Sequence, residues 1–324
     1  MRVRSLLTVL ALVVTACSGG ATAESDGDDE VRPAPDLGPY RGLGTWVDAF
    51  DYGPAFQAFG TQPPVAPESV DDMARLGVRT LFLQAAKDDE RSPDLLVDEE
   101  LVSAILTRAH ERGLRVVAWY LPTLGDVDAD LRRLRALHEL EVDGHRFDGL
   151  AVDVEWTRDV PDPEERNRRL VELSRRLRDL VGDEALGAIV FPPVQLEVVN
   201  PNLWPSFPWR DLEPYYDVWL PMAYWTLREG DYRDAYRYTE ESIRRLRANL
   251  GDPDAPVHPI GGIGDDSSPL DYELLHRTVQ EHDALGWSVY DFATTSSAGW
   301  VHLRAPETGD PAGTDQPGSP SSTS

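Results

Sequence analysis

The chain has 324 residues, 41% hydrophobic and 27% charged, enough apolar surface for one large globular domain or two small ones. Acidic residues number 57 against 31 basic ones, a net charge of -26. A nucleic-acid backbone or an anionic lipid surface needs a basic face, so both are excluded as electrostatic partners, and the acidity reads first as a solubility feature. The single cysteine, Cys17, leaves no intramolecular disulfide. The single lysine, Lys87, stands among arginines. It is either a chance surface residue or a place where a compact, titratable ammonium is needed.

In chain order, Arg2 and Arg4 precede an apolar run, residues 6–14, that is too short to span a bilayer. Val14-Thr15-Ala16-Cys17 follows and resembles the bacterial lipobox, in which small residues precede a cysteine that is lipidated and becomes the mature N-terminus. Cleavage after Ala21-Thr22-Ala23 is the alternative, and both export the protein. The expected organisation is a lipoprotein signal peptide (1–16), a disordered tether (17–39), a folded region (40–304) and a disordered tail (305–324) rich in Thr, Gly, Pro and Ser. The expected location is the outer face of the cell membrane, reached through a lipid anchor on Cys17.

Apolar runs then recur regularly. Strands are predicted over 42–50, 78–85, 114–121, 147–156, 186–191, 217–225, 257–262 and 287–293. Helices are predicted over 67–76, 98–112, 128–140, 163–180, 232–249 and 270–284, several with a leucine stripe such as Leu170, Leu173, Leu177 and Leu180 and a glycine at the end. Strand and helix alternating about eight times over this length predicts an α/β fold, a single-domain (β/α)8 TIM barrel. An open doubly wound sheet would show a Gly-rich loop after its first strand, and here Gly42-Leu43-Gly44 lies within that strand.

In such barrels the chemistry gathers at the C-terminal ends of the strands. Those ends carry Asp48 and Asp51, then Gln84 and Lys87, then Tyr120, then Asp153 and Glu155, then Tyr224 and Trp225, then Asp265 and Asp266, and last Asp291. Asp153 and Glu155 are two residues apart and so share a strand face with Ala151. The long fifth connection carries Trp204, Phe207, Trp209, Tyr215 and Tyr216, either a self-packed loop or a substrate wall. Acidic plus aromatic is the makeup of a carbohydrate cleft. No metal site or cofactor is expected: His110, His138 and His145 lack ligand spacing, His258 reads as a satisfied barrel histidine, and no Gly-x-Ser-x-Gly elbow occurs.

Asp148-Gly149-Leu150-Ala151-Val152-Asp153-Val154-Glu155 resembles the strand-four signature of the family 18, chitinase-like glycoside hydrolases, Asp-Gly-x-Asp-x-Asp-x-Glu. Ala151 replaces the first relay Asp. Met222-Ala223-Tyr224-Trp225 is similar to the family's Met-x-Tyr-Asp, with Trp225 for Asp. The alternative resemblance is to a more distant set of barrels grouped with the glycoside hydrolases. The resemblance implies a glycosidase with Glu155 as general acid, Asp153 orienting the substrate's N-acetyl group and Tyr224 bonding to it. Asp48, Lys87, Tyr120, Trp225, Asp265, Asp291 and Trp204 are the expected substrate-binding residues, and a polysaccharide or cell-wall glycan the expected partner. Ala151 and Trp225 weaken the N-acetyl-assisted route. A protein nucleophile would need a second carboxylate about 5 Å from Glu155, and an inverting base about 6.5–9.5 Å. Asp48, Asp265, Asp266 and Asp291 are the candidates. The alternative function is a carbohydrate-binding barrel lipoprotein that has lost catalysis.

Overall fold

The structure is a computed structural model that describes residues 34–304; the signal segment, Cys17, most of the tether and the tail lie outside the described residues. Eight strands form one parallel sheet: β1 (Gly42–Val47), β2 (Thr80–Gln84), β3 (Arg115–Tyr120), β4 (Gly149–Val154), β5 (Leu186–Val190), β6 (Val218–Pro221), β7 (Ile260–Ile263) and β8 (Gly286–Tyr290). Neighbours follow chain order from β1 to β6, and β1 also pairs with β8, which pairs with β7. The ring closes between β6 and β7 through short parallel bridges, Trp219 to Val257 and Met222 to Ile260. This is the (β/α)8 barrel the alternation predicts. Several strands are shorter than predicted because their exits curl into turns.

The helices are α1 (Ala49–Tyr52), α2 (Ser69–Arg75), α3 (Glu99–Glu111), α4 (Val127–Glu139), α5 (Pro163–Val181), α6 (Trp209–Leu212), α7 (Ala235–Leu250), α8 (Pro269–Glu281) and α9 (Ser297–Leu303). Part of the chain's acidity is spent on their starts. Asp98, Asp126, Asp162 and Asp234 each accept a backbone N–H as N-cap, and Ser268 forms a capping box with Asp271. Such caps are worth about 1 kcal/mol each. Gly251 ends α7 in the left-handed conformation, a common glycine helix stop.

Side-chain parity divides the core. On β3, Val116, Ala118 and Tyr120 face the helices, whereas Val117 and Trp119 face the barrel axis. The axial layer is strongly aromatic. Trp46 stacks on Phe82 at 4.3 Å and meets Trp119 edge-on at 6.0 Å. Ala151 lies in this layer.

Just before Tyr40, Leu37 packs against the axial layer, and the Pro39 carbonyl accepts from Thr80 Oγ1. Tyr40 plugs the bottom of the barrel, its hydroxyl donating to the Leu150 carbonyl at 2.6 Å. A Cβ at Gly187 would come within 2.9 Å of the Tyr40 ring, so glycine makes room for the plug. Above it, His258 Nδ1–H donates to the Tyr40 carbonyl, and its Nε2 accepts from Ser288, which in turn accepts from Trp46 Nε1. Burial lowers the His258 pKa to about 4, keeping it neutral. It is the satisfied barrel histidine that the sequence suggests.

Candidate active site

A cavity of about 270 Å³ opens at the C-terminal ends of the strands. Its apolar surface comes from the top of the axial layer, where Trp46, Trp119, Ile189, Met222 and Ile260 follow one another around the barrel. Its polar groups are Asp48, Gln84, Lys87, Asp153, Glu155, Tyr224 and Tyr290. β4 delivers both central carboxylates. Val152 and Val154 face the helix layer and anchor the strand, so Asp153 and Glu155 face inward one above the other, with Ala151 beneath.

Asp153 is 6% exposed, and its Oδ1 has no hydrogen-bond partner. Burial, and then the charge of Glu155, push its carboxyl well above the usual range, with Lys87 pulling the other way. Burial also raises Glu155, again opposed by Lys87. Two buried carboxyls side by side disfavour double ionisation, so the pair tends to retain a proton. Tyr224 is pushed well above its ordinary value by burial and by the charges of Glu155 and Asp153, and it remains an O–H donor. Its ring is 6.0 Å from that of Tyr290, whose hydroxyl donates to Asp48 Oδ2. Lys87 Nζ stands 4.7 Å from the Phe50 ring centroid.

Asp48, Asp51 and Asp291 form a second acidic group, each offering an oxygen within 4.8 Å of the others. Asp48 caps α1 by accepting from the N–H groups of Phe50 and Asp51, and Asp51 returns the capping-box bond. Burial and the charges of Asp48 and Asp291 push Asp51 up to about 7. Burial raises Asp291 too, while Thr294 N–H donates to its carboxylate at 2.8 Å. By spacing, this trio is the one among the described residues that could gather round a cation; besides the helix cap, bonds reach it from Tyr290 to Asp48 and from Thr294 to Asp291.

Of the residues expected to bind substrate, Asp48 and Lys87 line the cavity beside Asp153, Glu155 and Tyr224. Four do not. Tyr120 is the last residue of β3 and has the wrong parity: fully buried among the helices, it donates to Asp130 of α4 at 2.6 Å. Trp225 is also fully buried, packed where a Cβ at Gly261 would collide with its ring. Trp204 is buried under Arg166, whose guanidinium lies 4.2 Å from its ring, and it bonds to Asn167. The aromatic connection is therefore the self-packed alternative, with Phe207 and Trp209 buried as well. Asp265 is exposed and accepts from the Ser296 N–H at the start of α9. Asp291 lies behind Asp48 rather than on the wall.

Asp148, the first residue of the motif, is at the opposite end of the barrel. Burial would raise it, but bonds from His110, the Val116 N–H and Arg115 outweigh burial and hold it below the usual range. Sequence reasoning did not single out Trp46, Trp119 or Tyr290. Trp46 is two residues before Asp48 and shares its face, which is the signal that could have found it.

No protein-family model matches the sequence, and no curated protein does. Solved structures match in fold. A class V chitinase from Pseudomonas fluorescens Pf-5 is 9% identical with a TM-score of 0.57, the match covering 81% of this chain and 98% of that one. The spore cortex-lytic enzyme SleL of Bacillus cereus is 9% identical with a TM-score of 0.57, over 82% of this chain and 74% of that one. An endo-1,4-beta-D-mannanase from Thermotoga petrophila RKU-1 is 11% identical with a TM-score of 0.56, over 78% and 88%. The chain thus shares its (β/α)8 fold with glycoside hydrolase barrels.

Proposed function

We propose that this protein is a glycoside hydrolase that cleaves a polysaccharide with Glu155 as general acid, exported and held on the outer face of the membrane through a lipid on Cys17. One observation carries the catalytic part. Asp153 and Glu155 share a cavity at the mouth of an apolar barrel, and both carboxyls are raised by burial. A raised Glu keeps its proton to higher pH than a free one and can pass it to the glycosidic oxygen of the leaving sugar. Asp153 lies deeper and presents a buried acceptor without a donor, suited to a sugar N–H or hydroxyl. Tyr224 supplies an O–H donor across the same space. Asp48 is the remaining acidic side chain on the cavity wall and is the candidate for nucleophile or base. The aromatic surfaces of Trp46, Trp119 and Tyr290 suit a sugar ring.

A second reading, a barrel that binds glycans without cleaving them, draws on Ala151. The relay position of the chitinase-like motif lies in the apolar axial layer and offers no proton-sharing partner to Asp153.

Reducing-end release from a panel of N-acetylated, de-N-acetylated and neutral polysaccharides separates the two. The wild type is expected to cleave at least one, and Glu155→Gln to lose about 100- to 10,000-fold in kcat. Binding with no cleavage by the wild type would leave the binding barrel; equal rates would remove Glu155 from the mechanism. For the anchor, Cys17→Ser is expected to abolish incorporation of a labelled fatty acid in the producing cell; retained label would refute lipidation at Cys17.

A further inference from the structure

The charges around the cavity bear on which glycan it takes, an inference that rests on the carbohydrate-binding reading of this site. Asp48, Asp153 and Glu155 line it against one cation, Lys87. Two more buried carboxyls, Asp51 and Asp291, each have an oxygen within 4.8 Å of Asp48; burial raises both, so they add only part of a negative charge each. Lys87 does not balance them. Its field already acts on Asp153 and Glu155, and its ammonium sits over the face of Phe50. Deeper in the site, Asp153 Oδ1 is buried with nothing donating to it. A buried acceptor left unpaired is costly, so a ligand that brings a donor gains more here than in water. Trp119 Nε1, on the neighbouring strand, is a buried donor in the same condition.

An acidic or sulfated sugar would bring charge of the same sign into this enclosure, and a neutral one would leave the excess uncompensated. An ammonium supplies both the donor and the opposite charge. We infer that the cavity takes a glycan carrying free ammonium groups, a de-N-acetylated amino sugar, with one ammonium paired to Asp153. The chain's overall charge of -26 steers such a polycation toward the protein.

The test is calorimetric titration of the wild-type protein, Asp153→Asn and Asp266→Asn with three trisaccharides: glucosamine, N-acetylglucosamine and galacturonic acid. Asp266 is exposed and outside the cavity, so it reports on surface attraction. The glucosamine trisaccharide is expected to bind the wild type about tenfold tighter than its N-acetylated counterpart. That preference should vanish in Asp153→Asn and persist in Asp266→Asn, with the galacturonic trisaccharide weakest. Thermal melting checks that Asp153→Asn, which removes a buried carboxyl, is folded. The inference is overturned if the N-acetylated or acidic trisaccharide binds tighter, if glucosamine does not bind, or if the preference survives in Asp153→Asn, which would mean attraction to the acidic surface only. Cleavage of a neutral glycan that depends on Glu155 would leave the glycosidase reading standing and remove only the charge inference. Tight glucosamine binding without cleavage would do the reverse.

Discussion

Lys87 is within reach of both central carboxyls electrostatically and opposes the rise of each. Removing its charge therefore stabilises the protonated acid. Lys87→Met is expected to move the alkaline limb of kcat/KM to higher pH, and Lys87→Arg to move it little; an unshifted limb in Lys87→Met would return the lysine to the surface. Asp51 allows a stability measurement. Its folded value, about 7, lies above the ordinary carboxyl value, so the native state binds more protons than the unfolded chain between about pH 4 and 7. Stability from this group is present at low pH and lost as pH rises through that window. Asp51→Asn, which can keep the bond from the Asp48 N–H, is expected to raise the melting temperature at pH 8 and to give little gain at pH 4. An equal gain at both would show that the carboxyl is not held protonated. Asp153 and Glu155 were legible because a carboxylate pair at two-residue spacing must share a face, and Tyr224 because it stands at a strand exit in a segment similar to the family's Met-x-Tyr-Asp. Tyr120 was misplaced because nearly every residue of β3 is apolar, so either parity looked plausible.

At the level of elements, the eight strands and the longer helices were legible, and the errors concern where strands stop and the short helices α1, α6 and α9. β6 ends at Pro221, after which the chain folds into a short 3-10 turn that buries Trp225 instead of pointing it at the cleft. That burial depends on β7: a side chain at Gly261 would run into the Trp225 ring. Gly261→Ala is expected to cost about 1–3 kcal/mol in a denaturant melt, and Gly261→Ala combined with Trp225→Leu to cost less than the sum of the two single changes. Strict additivity would contradict the contact. α9 was not predicted. It is short, and its burial rests on Trp300 and Leu303 meeting the barrel, with the Leu303 carbonyl accepting from Trp287 Nε1. Long-range pairing of this kind leaves no local period to read.

For the whole molecule, the acidity has a division of labour that composition alone did not reveal. Part caps helices, part pairs with surface arginines such as Arg168 with Glu165, and part converges on one end of the barrel. The barrel itself was legible because eight βα units allow few other closures. The cavity was less so, since its aromatic lining comes from residues that look like ordinary core until the ring closes. The proposed chemistry depends on the leaving-group oxygen of a glycan lying against Glu155. The most direct measurement is a crystal structure of Glu155→Gln with a bound oligosaccharide, preferably of glucosamine. A glycosidic oxygen is expected within about 2.6–3.2 Å of the side-chain amide at position 155, with the adjoining sugar above Asp153. A glycan bound outside this cavity, or in it with every glycosidic oxygen out of hydrogen-bond reach of position 155, would contradict the proposed chemistry.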